Sequence, residues 1–243
     1  MEADVIRLKE MIARAKRIAF FGGAGLSTES GIPDFRGENG VFAALKAYGE
    51  RPETLLSHSY FMRHPETFFD YYRKFLLCPD AKPNAAHLAL ARLERQGKLT
   101  ACITQNIDGL HTAAGSKNVL ELHGSVYRNH CMHCGKFYPM ETVLNSDGVP
   151  RCSCGGIIKP DVVLYEESLD GGILSAAIRA VSEADMLLIG GTQLSVYPAA
   201  GLVDYFHGDD IAVINLSDTA RSTGGTLFIH RKIGEVLSEV VED

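Results

Sequence analysis

The run Ile18-Ala19-Phe20-Phe21-Gly22-Gly23-Ala24-Gly25-Leu26-Ser27 carries the decisive pattern. Its first four residues form a short apolar block that reads as a buried strand, and the block runs straight into glycines. Glycine has no Cβ, so the chain can turn sharply there and its backbone can approach a bound group closely. A strand, a glycine turn and the unpartnered N–H groups of a following helix make an anion cradle suited to a pyrophosphate. The third glycine of the dinucleotide fingerprint is replaced by Thr28. Taken alone, the turn fits a ligand-free βα connection equally well.

Upstream, Val5, Leu8, Ile12 and Ala15 recur at helical spacing, and Lys16 and Arg17 suit the negative end of that helix. Downstream, strand candidates lie at Thr100–Thr104, Val119–Leu122, Val162–Leu164, Met186–Gly190, Ile211–Leu216 and Thr226–Ile229. Helical patterns fall between several of them, at Asn84–Gln96 and Ile173–Ala184, and a last one, Gly234–Val241, closes the chain. Asn84 is placed as an N-cap and Gly97 just past the end. Strands alternating with helices predict an α/β fold, a mostly parallel sheet with helices on both faces. Two stretches break the rhythm. Gly37 to Lys82, rich in Phe, Tyr, His and Pro, reads as a helical insertion, and Val126 to Ile158 holds a cluster of cysteines.

At 243 residues the chain can form one large domain or a domain with a smaller companion. Its net charge of −6 argues against a general nucleic-acid binder while leaving a basic substrate open. No apolar run is long enough to span a bilayer. Met1-Glu2-Ala3-Asp4-Val5 lacks the basic-then-apolar form of a signal peptide, so the expected location is the cytoplasm. Thiols stay reduced there, and four of the six cysteines fall within Cys131 to Cys154, a gathering that favours metal over disulfides.

Cys131-x-x-Cys134, 17 further residues and Cys152-x-Cys154 approximate the paired-cysteine zinc pattern. Gly135 and Gly155-Gly156 follow the pairs, as tight zinc knuckles require. Four thiolates would close the coordination shell, so the Zn²⁺ would be structural. The second pair is one residue short, which leaves His130 or His133 as substitute ligands, but the reading favours Cys131, Cys134, Cys152 and Cys154.

Gly31-Ile32-Pro33 fixes a loop that presents Phe35 and Arg36; an aromatic there can cover a nicotinamide ring and an arginine can hold a phosphate, while a core Phe and a surface Arg fit these residues at least as well. Thr104-Gln105-Asn106-Ile107-Asp108 stands at a strand end, where open α/β sheets bind ligands. Polar side chains gathered there are costly unless they bond something, a ribose or carboxamide in one reading and a helix cap in the other. His123-Gly124 leaves another strand on what should be the same edge. Of the nine histidines, His123 is therefore the best candidate for a general base. His111, five residues past Asn106, competes for the role from a helical turn.

Taken together, Gly23-Ala24-Gly25-Leu26-Ser27, Gly31-Ile32-Pro33-Asp34-Phe35-Arg36, Thr104 to His111, His123-Gly124, the four cysteines, Lys159 to Leu164, Gly191-Thr192 and Ile214-Asn215 resemble the sirtuins, in that family's order and spacing, along nearly the whole chain. The resemblance implies a Rossmann-like domain for NAD (residues 1–36, 83–125 and 159–243), interrupted by a helical module (37–82) and a small zinc-ribbon module (126–158). It implies removal of acyl groups, acetyl above all, from lysines of protein or peptide substrates, with NAD as cosubstrate and O-acetyl-ADP-ribose as product. By similarity Ala24, Thr28, Phe35 and Arg36 line the phosphate and nicotinamide region. Gln105, Asn106, Ile107 and Asp108 hold ribose and nicotinamide, and Thr192, Asn215 and Ile233 hold the adenosine half. Val163 and Tyr165 flank the peptide, and the catalytic set is His123, Asn106 and Asp108. An NAD glycohydrolase or mono-ADP-ribosyltransferase on the same site, and a non-catalytic module sensing NAD, are the competing readings.

Three departures bear on this. Gln193 replaces the usual Ser after Gly-Thr, Tyr165-Glu166-Glu167 replaces Phe-Gly-Glu, and Cys152-x-Cys154 shortens the second knuckle. Relatives that take succinyl or malonyl groups carry Tyr-x-x-Arg in the helical module, whereas here Tyr71-x-Arg73 has the wrong spacing. An uncharged acyl group is expected.

Overall fold

The computed structural model of the chain describes residues 2–34, 37–219 and 225–242. Six strands, β1 (Ile18–Gly22), β2 (Leu99–Thr104), β3 (Val119–Glu121), β7 (Met186–Gly190), β8 (Asp210–Ile214) and β9 (Leu227–Ile229), form a wholly parallel sheet in the order β3-β2-β1-β7-β8-β9. Strand order reverses beside β1, which is the switch point of a doubly wound sheet. The other three, β4 (Gly124–Cys131), β5 (Phe137–Tyr138) and β6 (Ile158–Val162), make an antiparallel sheet in the order β5-β4-β6. The strand expected at Val162–Leu164 is thus displaced. Residues 158–162 pair with β4 instead, and 163–165 leave the sheet.

The helices are α1 (Ala3–Arg14), α2 (Ala24–Thr28), α3 (Glu38–Tyr48), α4 (Pro52–Leu55), α5 (His58–Arg63), α6 (Pro65–Phe75), α7 (Ala85–Arg95), α8 (Leu110–Ala113), α9 (Met140–Leu144), α10 (Gly171–Ser182) and α11 (Ile233–Val240). Successive side chains of a strand point to opposite faces, and β1 shows the result. Phe20 packs with Leu90 of α7, Leu8 of α1 and Leu237 of α11 in one core, while Ala19 and Phe21 join Ala177 and Val181 of α10 in another. Burying each such Phe is worth about 1.5–3 kcal/mol. Both faces are therefore covered, as a parallel sheet requires.

A third core unites the two stretches that broke the sequence rhythm. Phe61, Phe68, Phe69 and Tyr72 of the helical insertion pack with Val126, Met140, Ile158, Val162 and Leu164 around the small sheet. Among the described residues, no helix is long and apolar enough to cross a membrane.

Helix α7 shows how local sequence positions the site. The Asn84 Oδ1 accepts from the Ala86 and His87 N–H groups at 3.0 and 3.4 Å, and the His87 Nδ1 accepts from the Asn84 N–H at 3.3 Å. This reciprocal cap contributes about 1 kcal/mol. The Asn84 Nδ2 also donates to the Leu26 carbonyl at 2.8 Å and the Ser30 hydroxyl at 2.9 Å, which ties α7 to the glycine turn.

His87 and His111 are buried together, their ring centroids 4.8 Å apart. Burial drives His87 down to about 3, helped by His111, and His111 down to about 4. An unfolded imidazole titrates near 6.5, so as pH falls the unfolded chain takes up protons first. The stability from these neutral rings is complete above pH 6.5 and is lost as pH falls toward 3–4. At pH 5 each ring accounts for on the order of 2 kcal/mol. Urea midpoints should therefore drop between pH 7 and pH 5, and His87→Leu should flatten that slope. An identical slope in the variant would refute this account.

Candidate active site

The C-terminal ends of β1, β2 and β7 meet at the switch point. There the Gly25 N–H donates to the Gly191 carbonyl at 2.8 Å. A Cβ on Gly25 would stand 2.9 Å from the Gly191 Cα, and one on Gly191, at φ +60°, would stand 2.3 Å from the Leu26 nitrogen. The close approach that the fingerprint assigns to a third glycine is supplied from β7 by Gly191. Position 28 is released, and the Thr28 hydroxyl caps back onto the Gly25 carbonyl at 2.9 Å.

Two cavities flank this turn. A cleft of about 210 Å³ is lined by Ala24, Ser27, Gln105, Asn106, Ile107, Asp108 and His123, with Val163 and Tyr165 across from them. A second cavity of about 180 Å³ is lined by Gly25, Thr28, Gly191, Asn215, Arg231 and Ile233. Adjacent glycine-turn residues, Ala24 and Gly25, thus face different cavities. An extended dinucleotide with its pyrophosphate on the turn and one nucleoside in each cavity matches this layout. Thr192 lines neither cavity; its Oγ1 accepts from the Gln105 Nε2 at 3.2 Å and from the Leu194 N–H at 3.2 Å. Phe35 and Arg36 lie outside the described residues.

The polar side chains of the cleft are bonded in a chain. The Asn106 Nδ2 donates to the Gly23 carbonyl at 2.9 Å and to the Ser27 hydroxyl at 2.8 Å. The Ser27 hydroxyl in turn donates to the Asp108 Oδ2 at 2.5 Å, and the Asp108 Oδ1 accepts from the Leu110 N–H at 2.9 Å. Burial raises the Asp108 pKa, opposed by those two donors. Asp108 therefore both tethers the start of α8 and faces the cleft, so neither of its two sequence readings excludes the other. Ser27 was assigned no role from the sequence, where it is one hydroxyl among many. Its importance comes from β2 bringing Asn106 and Asp108 around it.

His123 stands at the junction of the two sheets, between the end of β3 and the start of β4. Its Nδ1 lies 2.8 Å from the Gln105 carbonyl oxygen. A carbonyl can only accept, so Nδ1 carries the proton and the neutral ring has its basic lone pair on Nε2. Gly124 follows at φ +76°, where a Cβ would stand 1.8 Å from the Asp161 carbonyl, so the His-Gly pair is set by steric need. His111 is buried, its Nδ1 3.1 Å from the Cys102 sulfur, and does not line the cleft.

The expected peptide edge is narrower than the sequence implies. The Val163 N–H donates to the His123 carbonyl at 3.0 Å, the Tyr165 N–H to the Leu56 carbonyl at 3.0 Å, and the Tyr165 carbonyl accepts from the His58 N–H at 2.9 Å. The helical insertion also supplies Leu56, Phe75 and Leu76 to the cleft wall, a contribution that no spacing in the sequence signals.

The four cysteine sulfurs lie within 4.8 Å of one another, with Cys131 and Cys154 at 3.4 Å and Cys134 and Cys152 at 3.6 Å. A tetrahedral Zn²⁺ with bonds of about 2.3 Å needs sulfurs about 3.8 Å apart, so the set fits. The Cys154 N–H and the Tyr138 hydroxyl, 3.0 Å away, pull the Cys152 thiol down to about 5, toward the thiolate that zinc binds. Among the described residues, neither His130 nor His133 joins the cluster.

The Sir2 family model matches residues 23–198. The NAD-dependent protein deacetylase of Clostridium perfringens is 55% identical over 244 residues, covering 100% of both chains. That of Clostridium acetobutylicum is 55% identical over 236 residues, covering 96% of each. Among solved structures, a Sir2 protein with a deacetylated p53 peptide and 3'-O-acetyl ADP ribose is 36% identical, with a TM-score of 0.87, covering 97% of this chain and 96% of that one. A Sir2 homolog in complex with NAD is 37% identical, with a TM-score of 0.86, covering 97% of this chain and 92% of that one.

Proposed function

Because this chain belongs to the Sir2 family, the sirtuins, we propose that it is an NAD-dependent protein-lysine deacetylase that converts acetyl-lysine, NAD and water to free lysine, nicotinamide and O-acetyl-ADP-ribose. The observation that carries the reading is His123. Its tautomer is fixed by the Gln105 carbonyl, and it lines the same cleft as Asn106 and Asp108, beside the glycine turn. NAD supplies a ribose carbon that becomes electrophilic as nicotinamide leaves. Asp108 accepts the carboxamide N–H of nicotinamide, while Gln105, Asn106 and Ile107 hold nicotinamide and its ribose. His123, through Nε2, takes the proton from a ribose hydroxyl. Ala24 approaches the phosphates, Arg36 binds them and Phe35 shields the reacting carbon from water. Thr28 stays with the phosphates, on the wall of the second cavity where Asn215 and Ile233 hold the adenosine half, and Thr192, expected beside those two, acts instead through Gln105. Val163 and Tyr165 flank the peptide. Zn²⁺ on Cys131, Cys134, Cys152 and Cys154 holds the small sheet. Residues 1–36, 83–125 and 159–243 form the NAD-binding part, 37–82 and 126–158 are the helical and zinc modules, NAD and acyl-lysine meet in the cleft between them, and the protein acts in the cytoplasm.

The acyl group is uncharged. Among the described residues that line the cleft, the acidic side chains are Asp108, Glu166 and Glu167, and none is Lys or Arg. Arg73 turns away, donating to the Ser146 hydroxyl at 3.2 Å and lying over the Phe69 ring. A succinyl carboxylate would meet like charge. Incubation with NAD and a panel of acyl-lysine peptides, read by product mass, should give O-acetyl-ADP-ribose. It should also show kcat/KM for acetyl at least about tenfold above that for succinyl. ADP-ribose without acyl transfer would mean a glycohydrolase, and faster succinyl turnover would refute the acyl assignment.

A further inference from the structure

Glu166 departs from expectation in both backbone and side chain. It occupies the place where sirtuins usually have glycine, and its φ is +76°. A non-glycine residue holds that left-handed conformation only when its surroundings impose it. Here the side chain does so. The Glu166 Oε2 accepts from the Ser59 N–H at 2.9 Å and Oε1 from the Ser59 hydroxyl at 3.0 Å. Ser59 belongs to the first turn of α5, which Ser57 caps. Both carboxylate oxygens are thus fixed at the rim of the cleft, and the backbone pairing of Tyr165 with Leu56 and His58 holds the adjoining residue.

Its charge has no direct ion-pair partner among the described residues. Its two donors are neutral, and the nearest guanidinium in this network, Arg63, reaches it only through the Ser59 hydroxyl, to which the Arg63 Nη2 donates at 3.3 Å. Its neighbour differs: Glu167 meets the Lys159 Nζ at 3.2 Å and the His58 Nδ1 at 2.9 Å. Glu166 is exposed and lines the cleft, and none of the described lining residues is a lysine or arginine. A peptide whose acyl-lysine enters past Val163 and Tyr165 presents its neighbouring side chains at this rim. A carboxylate that is already immobilised loses little conformational entropy when it pairs with a cation, which removes much of the usual cost of an exposed ion pair.

We propose that Glu166 is a specificity-determining residue that favours acyl-lysine substrates with Lys or Arg beside the modified lysine. The inference rests on the deacetylase reading above. It also assigns a local origin to a preference that the net charge of −6 implies in general.

Three acetyl-lysine peptides, identical except for Arg, Ala or Glu on either side of the acetyl-lysine, test it by steady-state kcat/KM with saturating NAD. The expected order is Arg, Ala, Glu, with steps of about two- to fivefold that shrink as salt is added. Glu166→Gln keeps the size and one acceptor oxygen, so the Arg-to-Ala ratio should fall toward one. Equal rates on all three peptides, or a ratio unchanged in Glu166→Gln, would overturn the proposal. Should that variant not fold, the wild-type ratio decides, since a preference insensitive to salt is not electrostatic and overturns it equally. No turnover of any peptide would remove the deacetylase reading itself, and this inference with it.

Discussion

His123→Ala should leave a folded, zinc-loaded protein whose NAD-dependent deacetylation falls by about two to four orders of magnitude, the usual worth of a positioned general base. The size follows from geometry. The Gln105 carbonyl holds the proton on Nδ1 and so aims the lone pair of Nε2 into the cleft, and alanine supplies neither a base nor a polar substitute. The fold should tolerate the change. His123 is half-buried, its ring bonds the Gln105 backbone carbonyl, and the steric demand at the junction rests on Gly124. The measurement is turnover on an acetyl-lysine peptide together with zinc content and thermal unfolding. Unchanged turnover would remove His123 from its assigned role. A collapse in zinc content or melting temperature would mean that the residue acts through structure.

Cys152→Ala should have an equally large effect by another route. It removes one of four sulfurs and leaves three thiols that cannot close a tetrahedral shell. Zinc should be lost and thermal stability should fall steeply, because in a structural site the free energy of metal binding is folding free energy. Activity should disappear as well, although no cysteine lines the cleft. Cys131 and Cys152 belong to the same core as Phe61, Phe68 and Phe69, and that core carries Leu56, Val162 and Leu164 to the cleft wall. Elemental analysis and a melting curve check this. A variant that keeps one zinc per chain and its melting temperature would show that three ligands suffice.

What the sequence disclosed and what it withheld divide along a physical line. Met186–Gly190 and the helix beginning after Asn84 were legible at their true bounds or within a residue, because a buried apolar run and a capped amphipathic face are local signals. The glycine turn, Gln105 to Asp108 and His123 line one cleft and the four cysteines come together; the sequence signalled these groupings through the joint order and spacing of the motifs, since the turn or the Gln105 to Asp108 run alone has a bland alternative. The strand read at Val162–Leu164 lies instead at Ile158–Val162, since its partner β4 is antiparallel and no turn residue marks the register. Ser27 was passed over because its role is defined by Asn106 and Asp108, about 80 residues away. Gly191 as the missing third glycine, the second cavity and the left-handed Glu166 all depend on segments distant in sequence that meet at the switch point. Such contacts leave no periodic trace.

The core shared by the helical insertion and the small sheet has a consequence for how the chain is made. Its aromatic half, Phe61 to Tyr72, leaves the ribosome well before Val126, Ile158 and Leu164, the residues that cover it. The N-terminal part of the parallel sheet waits similarly, since β1 lies between β2 and β7 and cannot be enclosed until residue 190 has emerged. At synthesis rates of about 5–20 residues per second, that aromatic surface stays uncovered for several seconds. A nascent chain stopped short of Val126 should therefore be a strong client for a hydrophobic-binding chaperone. The completed chain, with the same aromatics enclosed, should not.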